Sequence, residues 1–247
     1  MPTVAELSAP YANFMLGPRP GPDVCGQCFN LTDGFRRCYA CAHGGRFLDA
    51  MLPISYSVAG EQLHHALAGY KRLDGVIARR FAFGLAAVLW RHLAAHERCL
   101  ARAGKVPAFT LATTVPSSSL DRGAAHPLHH LVSLVDPLRG RYERLLRRSD
   151  VQAPAHEFNS RKYEPLRDLS GQAILLVDDT WTMGANAQSA AAALKAAGAE
   201  QVAAVVIGRY VNRGWRRNDR HLRSLPHPFD WETCGLCASA GSAAAHP

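Results

Sequence analysis

The hydrophobic residues of this chain follow two patterns, short apolar stretches and helical repeats. The short stretches predict four strands, which cover residues 54–58, 108–115, 173–177 and 202–210, and the stretch 173–177 is unbroken. Between the first two, apolar residues recur at helical spacing, and this predicts a long helix over 73–102 that Gly104 ends. The repeat includes Ile77, Phe81, Leu85 and Val88.

Two further stretches have helical patterns. One covers residues 128–148, and the other is alanine-rich and ends before Gly198. Strands that lack polar alternation and are joined through helices are typical of a parallel sheet covered on both faces. The sequence therefore predicts an α/β fold with a parallel sheet flanked by helices.

Composition divides the chain into four segments. Residues 1–24 are rich in proline and are predicted to be loose, and residues 25–50 hold two close pairs of cysteines. The predicted strands and long helices fall within 51–215, which is the predicted core. Residues 216–247 form a C-terminal extension that carries another cysteine pair and ends in an Ala/Ser/Gly-rich tail, predicted to be disordered.

Overall composition fits a globular protein with a substantial core, because 48% of the residues are hydrophobic. The longest apolar run, 81–90, is about half the length that a membrane span needs. The N-terminus has no basic segment followed by an apolar one, so a cytoplasmic location is expected. The net charge of +8 favours polyanionic partners, although genome composition explains an arginine-rich chain equally well.

The most informative segment joins the third predicted strand to the alanine-rich helix. Asp178 and Asp179 follow the apolar run 173–177, at the strand end where α/β sheets bind ligands. The turn after them opens a helix whose free N–H groups favour a phosphate, and Gly184 lets the backbone approach that phosphate closely. Thr182 adds a hydroxyl donor. Two carboxylates beside a phosphate suit a sugar phosphate, because they accept bonds from ribose hydroxyls and help to hold hydrated Mg²⁺.

Two other interpretations of this segment fit less well. A strand ending in two aspartates also occurs at the magnesium site of P-loop NTPases. That class requires the motif G-x-x-x-x-G-K-[ST], which the sequence lacks. Aspartates that only cap a helix would not call for threonine and glycine together in these places.

Residues 174–186 resemble the phosphoribosyl pyrophosphate (PRPP) signature of the type I phosphoribosyltransferases, an apolar strand with two acidic residues and a Thr-Thr-Gly-type loop. Met183 and Asn186 depart from that pattern. The resemblance implies a glycosyltransferase that binds PRPP with Mg²⁺ and uses Asp178 and Asp179 as the catalytic pair that holds ribose and metal. It implies that a phosphate loop, residues 180–186, holds the 5′-phosphate through Thr180, Thr182, Met183, Gly184, Ala185 and Asn186.

The same resemblance implies two further contacts with PRPP. A pyrophosphate loop is expected after the second predicted strand, although a serine-rich loop is most often a solvated turn. Lys71 belongs to a Tyr70-Lys71 pair that is similar to a Lys-Tyr-type element found ahead of this core in one subfamily. The expected pyrophosphate loop contains Ser117, Ser118 and Ser119, followed by Arg122.

Two C-x-x-C pairs stand near the N-terminus, Cys25 with Cys28 and Cys38 with Cys41. In a reducing cytoplasm such pairs indicate metal binding, and Zn²⁺ prefers four thiolates in a closed structural site. Two buried or redox-active pairs are the alternative. A zinc ribbon ahead of this core is the layout of the ComF-type, competence-associated family, which the chain resembles over about residues 25–209. That resemblance implies a role linked to DNA uptake and processing.

A third pair, Cys234 and Cys237, lies outside that layout. His221 and His227 stand upstream, so a second metal site with two histidines is one interpretation, and free thiols or a redox pair are the others. The seventh cysteine, Cys99, falls in the long predicted helix and is interpreted as a small buried side chain.

Arginines cluster in two places, on the predicted helix 128–148 and near the C-terminus beside Tyr210 and Trp215. The first cluster reads as a solvated helix face, whereas the second suits single-stranded DNA, through phosphate neutralisation and base stacking. The sequence thus supports two functions. One is a PRPP-dependent transferase, and the other is a non-catalytic module that binds single-stranded DNA or a DNA-processing protein. The C-terminal arginine cluster consists of Arg209, Arg213, Arg216, Arg217, Arg220 and Arg223.

Overall fold

A parallel sheet forms the centre of the computed structural model, which describes residues 2–116, 126–154 and 156–237. Its strands are β1 (Ala50–Val58), β2 (Leu111–Thr114), β5 (Ala173–Trp181) and β6 (Gln201–Val211). They lie in the order β1-β6-β5-β2, and every neighbouring pair is parallel. This confirms the predicted α/β sheet, with β1 beginning earlier and β5 ending later than the apolar runs alone predicted.

Helices cover both faces of this sheet. One layer contains α3 (Gln62–Arg72) and the long α4 (Gly75–Ala103), and α6 (Ala185–Ala196) lies in the other. Successive residues of a strand pack against opposite layers, so that Leu175 of β5 packs in the first layer and Ile174 in the second. Because both faces are buried, β5 and β6 carry long apolar runs, whereas β1 buries Ser55 and Ser57 between its apolar residues.

The N-terminal segment is ordered, in contrast to the loose chain expected from its prolines. Thr3 and Glu6 form a capping box at the start of α1 (Val4–Ser8), in which each side chain accepts a hydrogen bond from the backbone N–H of the other residue. A 3₁₀ turn, Ala9–Asn13, follows directly. Pro10 lies in its first turn, where the missing N–H of a proline costs no hydrogen bond.

This segment then covers the outer edge of β1. Met15 is fully buried, and Leu16 pairs in antiparallel fashion with Tyr56. The Tyr56 N–H donates to the Leu16 carbonyl at 2.8 Å. An uncovered edge strand would expose unpaired backbone groups, and the N-terminal residues satisfy them here.

The predicted helix over 128–148 is mostly absent. Only α5 (Pro127–Ser133) and a short 3₁₀ turn (Asp136–Leu138) are helical. Pro137 and Gly140, whose φ is +85°, end the helical path.

The chain then enters a hairpin of β3 (Leu146–Arg148) and β4 (Tyr163–Pro165). The sequence predicted that the arginines of this region lie on one solvated helix face, and the structure shows that they do not. Arg141 instead forms a salt bridge of 2.5 Å with Glu97 of α4.

Two short helices lie outside these layers. α2 (Tyr39–His43) follows Cys38 in the cysteine segment, and α7 (Asn218–Arg223) follows β6. Within the ranges that the structure describes, no helix is long and apolar enough to cross a membrane.

Candidate functional site

Two carboxylates lie at the carboxyl end of β5, between the ends of β6 and β2. Asp178 and Asp179 are consecutive, so their side chains point to opposite faces of the sheet. Asp179 is buried and faces α3 and α4, whereas Asp178 is half-buried on the face that carries α6. The pair therefore presents one enclosed and one more accessible carboxylate at the edge where α/β sheets bind ligands.

Asp179 is held by two side chains of α3. The Tyr70 hydroxyl donates to Asp179 Oδ2, and Lys71 Nζ lies 2.6 Å from the same oxygen. Burial, with the adjacent Asp179 charge, raises the pKa of Tyr70 well above its usual value of 10. The structure thus brings Lys71 to the acidic pair, while its contact with PRPP stays a prediction.

Asp178 has a strongly perturbed acidity. Burial and then the charge of Asp179 raise its pKa from the ordinary 3.8 to about 8, although Lys71 acts in the opposite direction. Its Oδ1 accepts a hydrogen bond of 2.9 Å from the Asp179 N–H. Asp178 therefore holds a proton to a higher pH than an ordinary aspartate does.

This proton makes the stability of the fold depend on pH. Between about pH 4 and pH 8 the folded protein keeps the Asp178 proton that the unfolded chain releases, so stability falls as pH rises through that window. Asp178→Asn removes the effect, and we expect its Tm to exceed that of the wild type by about 3 °C or more at pH 8. At pH 5 the gain should be much smaller. Calorimetric scans at both pH values test this, and an equal gain at pH 5 and pH 8 contradicts it.

The phosphate loop, residues 180–186, ends in a turn that only glycine can make. Gly184 has a φ of +79°, and a Cβ there would lie 2.0 Å from Trp181 Cζ2. Gly184 is also the N-cap of the 12-residue helix α6, and it has no side chain with which to cap the first turn. Free N–H groups and the helix dipole at such a position favour an anion, and phosphate binding there stays a prediction.

Lys162 is a cation of this region that the sequence analysis missed. Its side chain is fully buried, and Nζ donates to Asn186 Oδ1 at 2.7 Å in the first turn of α6. Burial, together with the nearby Arg148, lowers its pKa below the usual 10.5. Only one feature of the sequence could have pointed to Lys162. It is one of few lysines in an arginine-rich chain, and it lies in a polar stretch for which no helix or strand was predicted.

The expected pyrophosphate loop, with Ser117, Ser118, Ser119 and Arg122, lies outside the described residues. The described chain reaches Pro116 directly beside the acidic pair, because the Val115 N–H donates to the Val177 carbonyl at 3.2 Å. Tyr163 also donates to the Pro116 carbonyl at 3.3 Å. The role of these serines and of Arg122 stays a prediction.

The four N-terminal cysteines form a compact cluster that resembles a zinc ribbon. Their sulfur atoms lie within 4.8 Å of one another, all four side chains are buried, and none forms a disulfide. Hydrogen bonds from Cys28 and the other thiols lower the pKa of Cys25, and bonding to Cys25 raises that of Cys41. Four converging sulfurs fit the tetrahedral Cys₄ set that Zn²⁺ adopts in structural sites.

Arg209 of β6 connects this cluster to the phosphate loop. The side chain is buried, and its Nη1 donates to the carbonyls of Trp181 at 3.0 Å and Thr182 at 2.8 Å. Its Nε donates to the Cys28 carbonyl at 3.1 Å. Because one guanidinium bonds both segments, the N-terminal cysteine segment and residues 180–186 are held in a fixed relation.

The C-terminal arginine cluster is largely engaged within the protein. Arg213, for example, bridges Glu61 and Asp219, with 2.7 Å to each. In the described ranges, Arg217 and Arg220 are exposed and have no acidic partner. DNA binding thus stays a prediction. The cluster offers fewer arginines without an acidic partner than the sequence suggested. The arginines bonded to acidic side chains or buried are Arg209, Arg213, Arg216 and Arg223.

The third cysteine pair has partners other than the two histidines considered from the sequence. Cys234 and Cys237 lie beside His96 and Cys99 of α4, and the four ligand atoms are within 4.8 Å of one another. His227 instead faces Asn13, whose carbonyl lies 2.8 Å from its Nε2. Cys99 is therefore part of a cluster and more than a small packing residue.

Comparison with known proteins gives a structural likeness and no match in sequence. No protein-family model matches the chain, and no curated protein sequence matches it. Among solved structures, it is similar to a phosphoribosyltransferase from Corynebacterium diphtheriae at 20% sequence identity and a TM-score of 0.30. The match covers 61% of this chain and 94% of that chain. So distant a likeness carries no argument by itself, and the site is interpreted from its own geometry.

Proposed function

We propose that this protein binds PRPP with Mg²⁺ at the carboxyl edge of its sheet and acts as a phosphoribosyltransferase of the ComF type. One observation carries the proposal: a strand that ends in two carboxylates runs directly into a helix with an uncapped N-terminus. A ribose that carries phosphate groups needs both features side by side. The acceptor of the phosphoribosyl group is left open.

The 5′-phosphate would bind at the start of α6. Its oxygens would accept hydrogen bonds from backbone N–H groups of the phosphate loop, which Gly184 allows a ligand to approach closely. Thr182 is exposed there and offers a hydroxyl donor. Lys162 places a buried positive charge beside Asn186, so the cradle is electropositive before any ligand arrives.

The ribose hydroxyls and the metal would be held by Asp178 and Asp179. Carboxylate oxygens are suitable ligands for Mg²⁺, which when bound would neutralise the charge of the pyrophosphate group. Asp178 must release its proton to serve as a ligand, because its pKa in the free protein is raised to about 8. The affinity for PRPP with Mg²⁺ should therefore rise with pH between 6 and 9.

The transfer itself breaks the bond between the ribose C1 and the pyrophosphate oxygen, and the electron pair leaves with pyrophosphate. The acceptor donates a lone pair to C1 and loses a proton to solvent. Such a displacement depends on positioning and charge stabilisation rather than on a covalent nucleophile of the protein. Lys71 supplies a partly exposed positive charge beside Asp179, at the edge where the leaving group would depart.

The cysteine cluster has a structural part in this proposal. A zinc ion bound by four thiolates has no open position for a substrate, so it would only fix the segment that Arg209 joins to the phosphate loop. Reduced thiols also fit the proposed cytoplasmic location.

Calorimetric titration of the zinc-loaded protein with PRPP and Mg²⁺ tests the proposal. We expect binding in the micromolar range, and an affinity lowered about 100-fold or more in Asp178→Asn/Asp179→Asn, because two ligands of ribose and metal are lost. Glu200→Gln is the matched control, since Glu200 is exposed just before β6, at the opposite end of the sheet.

Two outcomes would overturn the assignment. One is the absence of binding by folded wild-type protein, and the other is an unchanged affinity in the double variant. In either case a titration with single-stranded oligonucleotides at low salt would examine the DNA-binding function instead.

A further inference from the structure

A second group of metal-ligating side chains lies away from the phosphate loop and the N-terminal cysteines. His96 and Cys99 are three residues apart on α4, so both project from one side of that helix. Cys234 and Cys237 approach them from the C-terminal segment. The four ligand atoms lie within 4.8 Å of one another, although Cys99 and Cys237 are more than 130 residues apart in the chain.

The spacing of these atoms is close to that of a tetrahedral zinc site. The sulfurs of Cys234 and Cys237 are 3.4 Å apart, and Cys237 Sγ is 4.0 Å from His96 Nδ1. Around Zn²⁺, with bonds of about 2.3 Å to sulfur and about 2.0 Å to nitrogen, such pairs lie about 3.6–3.8 Å apart. Shifts of a few tenths of an ångström would bring both pairs to the metal-bound geometry.

The orientation of His96 suits a metal ligand. Its Nε2 lies 2.9 Å from the Trp231 carbonyl, which can only accept a hydrogen bond, so Nε2 carries the proton. The lone pair of Nδ1 then faces the sulfur atoms. Histidine ligands of metals commonly donate their second ring N–H to a carbonyl in this way.

Backbone N–H groups are also aimed at the sulfurs. The Cys234 N–H donates to Cys237 Sγ at 3.0 Å, and the Cys237 N–H donates to Cys234 Sγ at 3.4 Å. These hydrogen bonds fix the positions of the two sulfurs beside His96. A disulfide between Cys234 and Cys237 is the competing state, but it would leave Cys99 and the buried Nδ1 of His96 without a role.

From this geometry we propose that the chain binds a second zinc ion through His96, Cys99, Cys234 and Cys237. Four protein ligands fill a tetrahedral site, so the ion has a structural role and leaves no position for a substrate. It fastens the C-terminal segment to α4. Phe229 and Trp231 of that segment pack in the core, and Arg91 of α4 stacks on the Trp231 ring at 4.3 Å.

The proposed ion also adjoins the first cysteine cluster through one close contact. Gly235, between the two cysteines, packs so tightly against Phe29 that a Cβ would lie 2.6 Å from Phe29 Cε1. Phe29 directly follows Cys28 of the N-terminal cluster. The two metal sites would thus hold the N-terminal cysteine segment and the C-terminal segment against each other. This holds whether or not the protein binds PRPP.

Metal analysis of the full-length protein tests the proposal. We expect two zinc ions per chain in the wild type and one in Cys234→Ser/Cys237→Ser. Cys25→Ser/Cys28→Ser is the matched variant, which should keep the second ion. After replacement of zinc by cobalt, His96→Gln should change the visible spectrum of one cobalt ion, since it removes the only nitrogen ligand of the two proposed sites.

The wild type alone can overturn the proposal, even if a variant fails to fold. One zinc per chain contradicts it, and so does a Cys234–Cys237 disulfide found by mass mapping of protein purified under reducing conditions. Stepwise metal release by a thiol-blocking reagent should proceed in two phases, and a single phase that accounts for one ion also contradicts it.

Discussion

Cys41→Ser should remove one zinc ion and destabilise the protein by at least about 4 kcal/mol, because metal binding in such sites contributes directly to folding. For a chain of this length that loss corresponds to a fall in Tm of about 10 °C or more. Cys41 is buried among the other three sulfurs, so serine leaves the ion without a strong ligand. Thermal scans combined with metal analysis measure both effects.

Cys41→His distinguishes a metal ligand from a packing residue. Histidine can complete a Cys₃His set, so it should retain zinc and lose less stability than serine. If Cys41 served only to fill space, the larger imidazole would instead be the worse replacement. A wild-type protein that contains no zinc and is insensitive to chelators would falsify the metal assignment of this cluster.

Arg209→Met should lower the free energy of unfolding by about 3–5 kcal/mol, because it leaves several buried carbonyl groups without a donor. The guanidinium bonds the carbonyls of Trp181, Thr182, Tyr210 and Cys28. A methionine keeps an unbranched apolar stem and has no hydrogen-bond donor. Chemical denaturation measures the change, and PRPP titration of the same variant would show whether the phosphate loop depends on this support.

Arg220→Met is the matched control for Arg209. Arg220 is exposed on α7 and has no acidic partner among the described residues, so its replacement should change stability by less than about 0.5 kcal/mol. Equal effects of the two substitutions would mean that the hydrogen bonds of Arg209 contribute nothing net.

The sheet was predictable because its strands carry their signal locally. β5 and β6 are buried on both faces, and an apolar run bounded by polar residues is enough to reveal such a strand. Asp178 and Asp179 were found for the same reason, since they interrupt the run at its carboxyl end. The phosphate loop needed only the further observation of glycine and threonine at the start of a helix.

Features built from distant residues were not predictable. Nothing local in α4 marks His96 and Cys99 as partners of Cys234, because the contact exists only after the C-terminal segment packs on that helix. Lys162 likewise meets Asn186 only through the β3–β4 hairpin. The prediction of a helix over 128–148 was wrong because it rested on the spacing of apolar residues. In the structure the backbone restrictions of Pro137 and Gly140 end the helix instead.

The order of strands in the sheet has a consequence for synthesis of the protein. β1 is translated well before its parallel partner β6, in which Ala203 pairs with Ala50. At about 5–20 residues per second, translation of the intervening chain takes about 7–30 s, during which one apolar strand has no sheet to join. Nascent chains are therefore exposed to aggregation until β6 emerges.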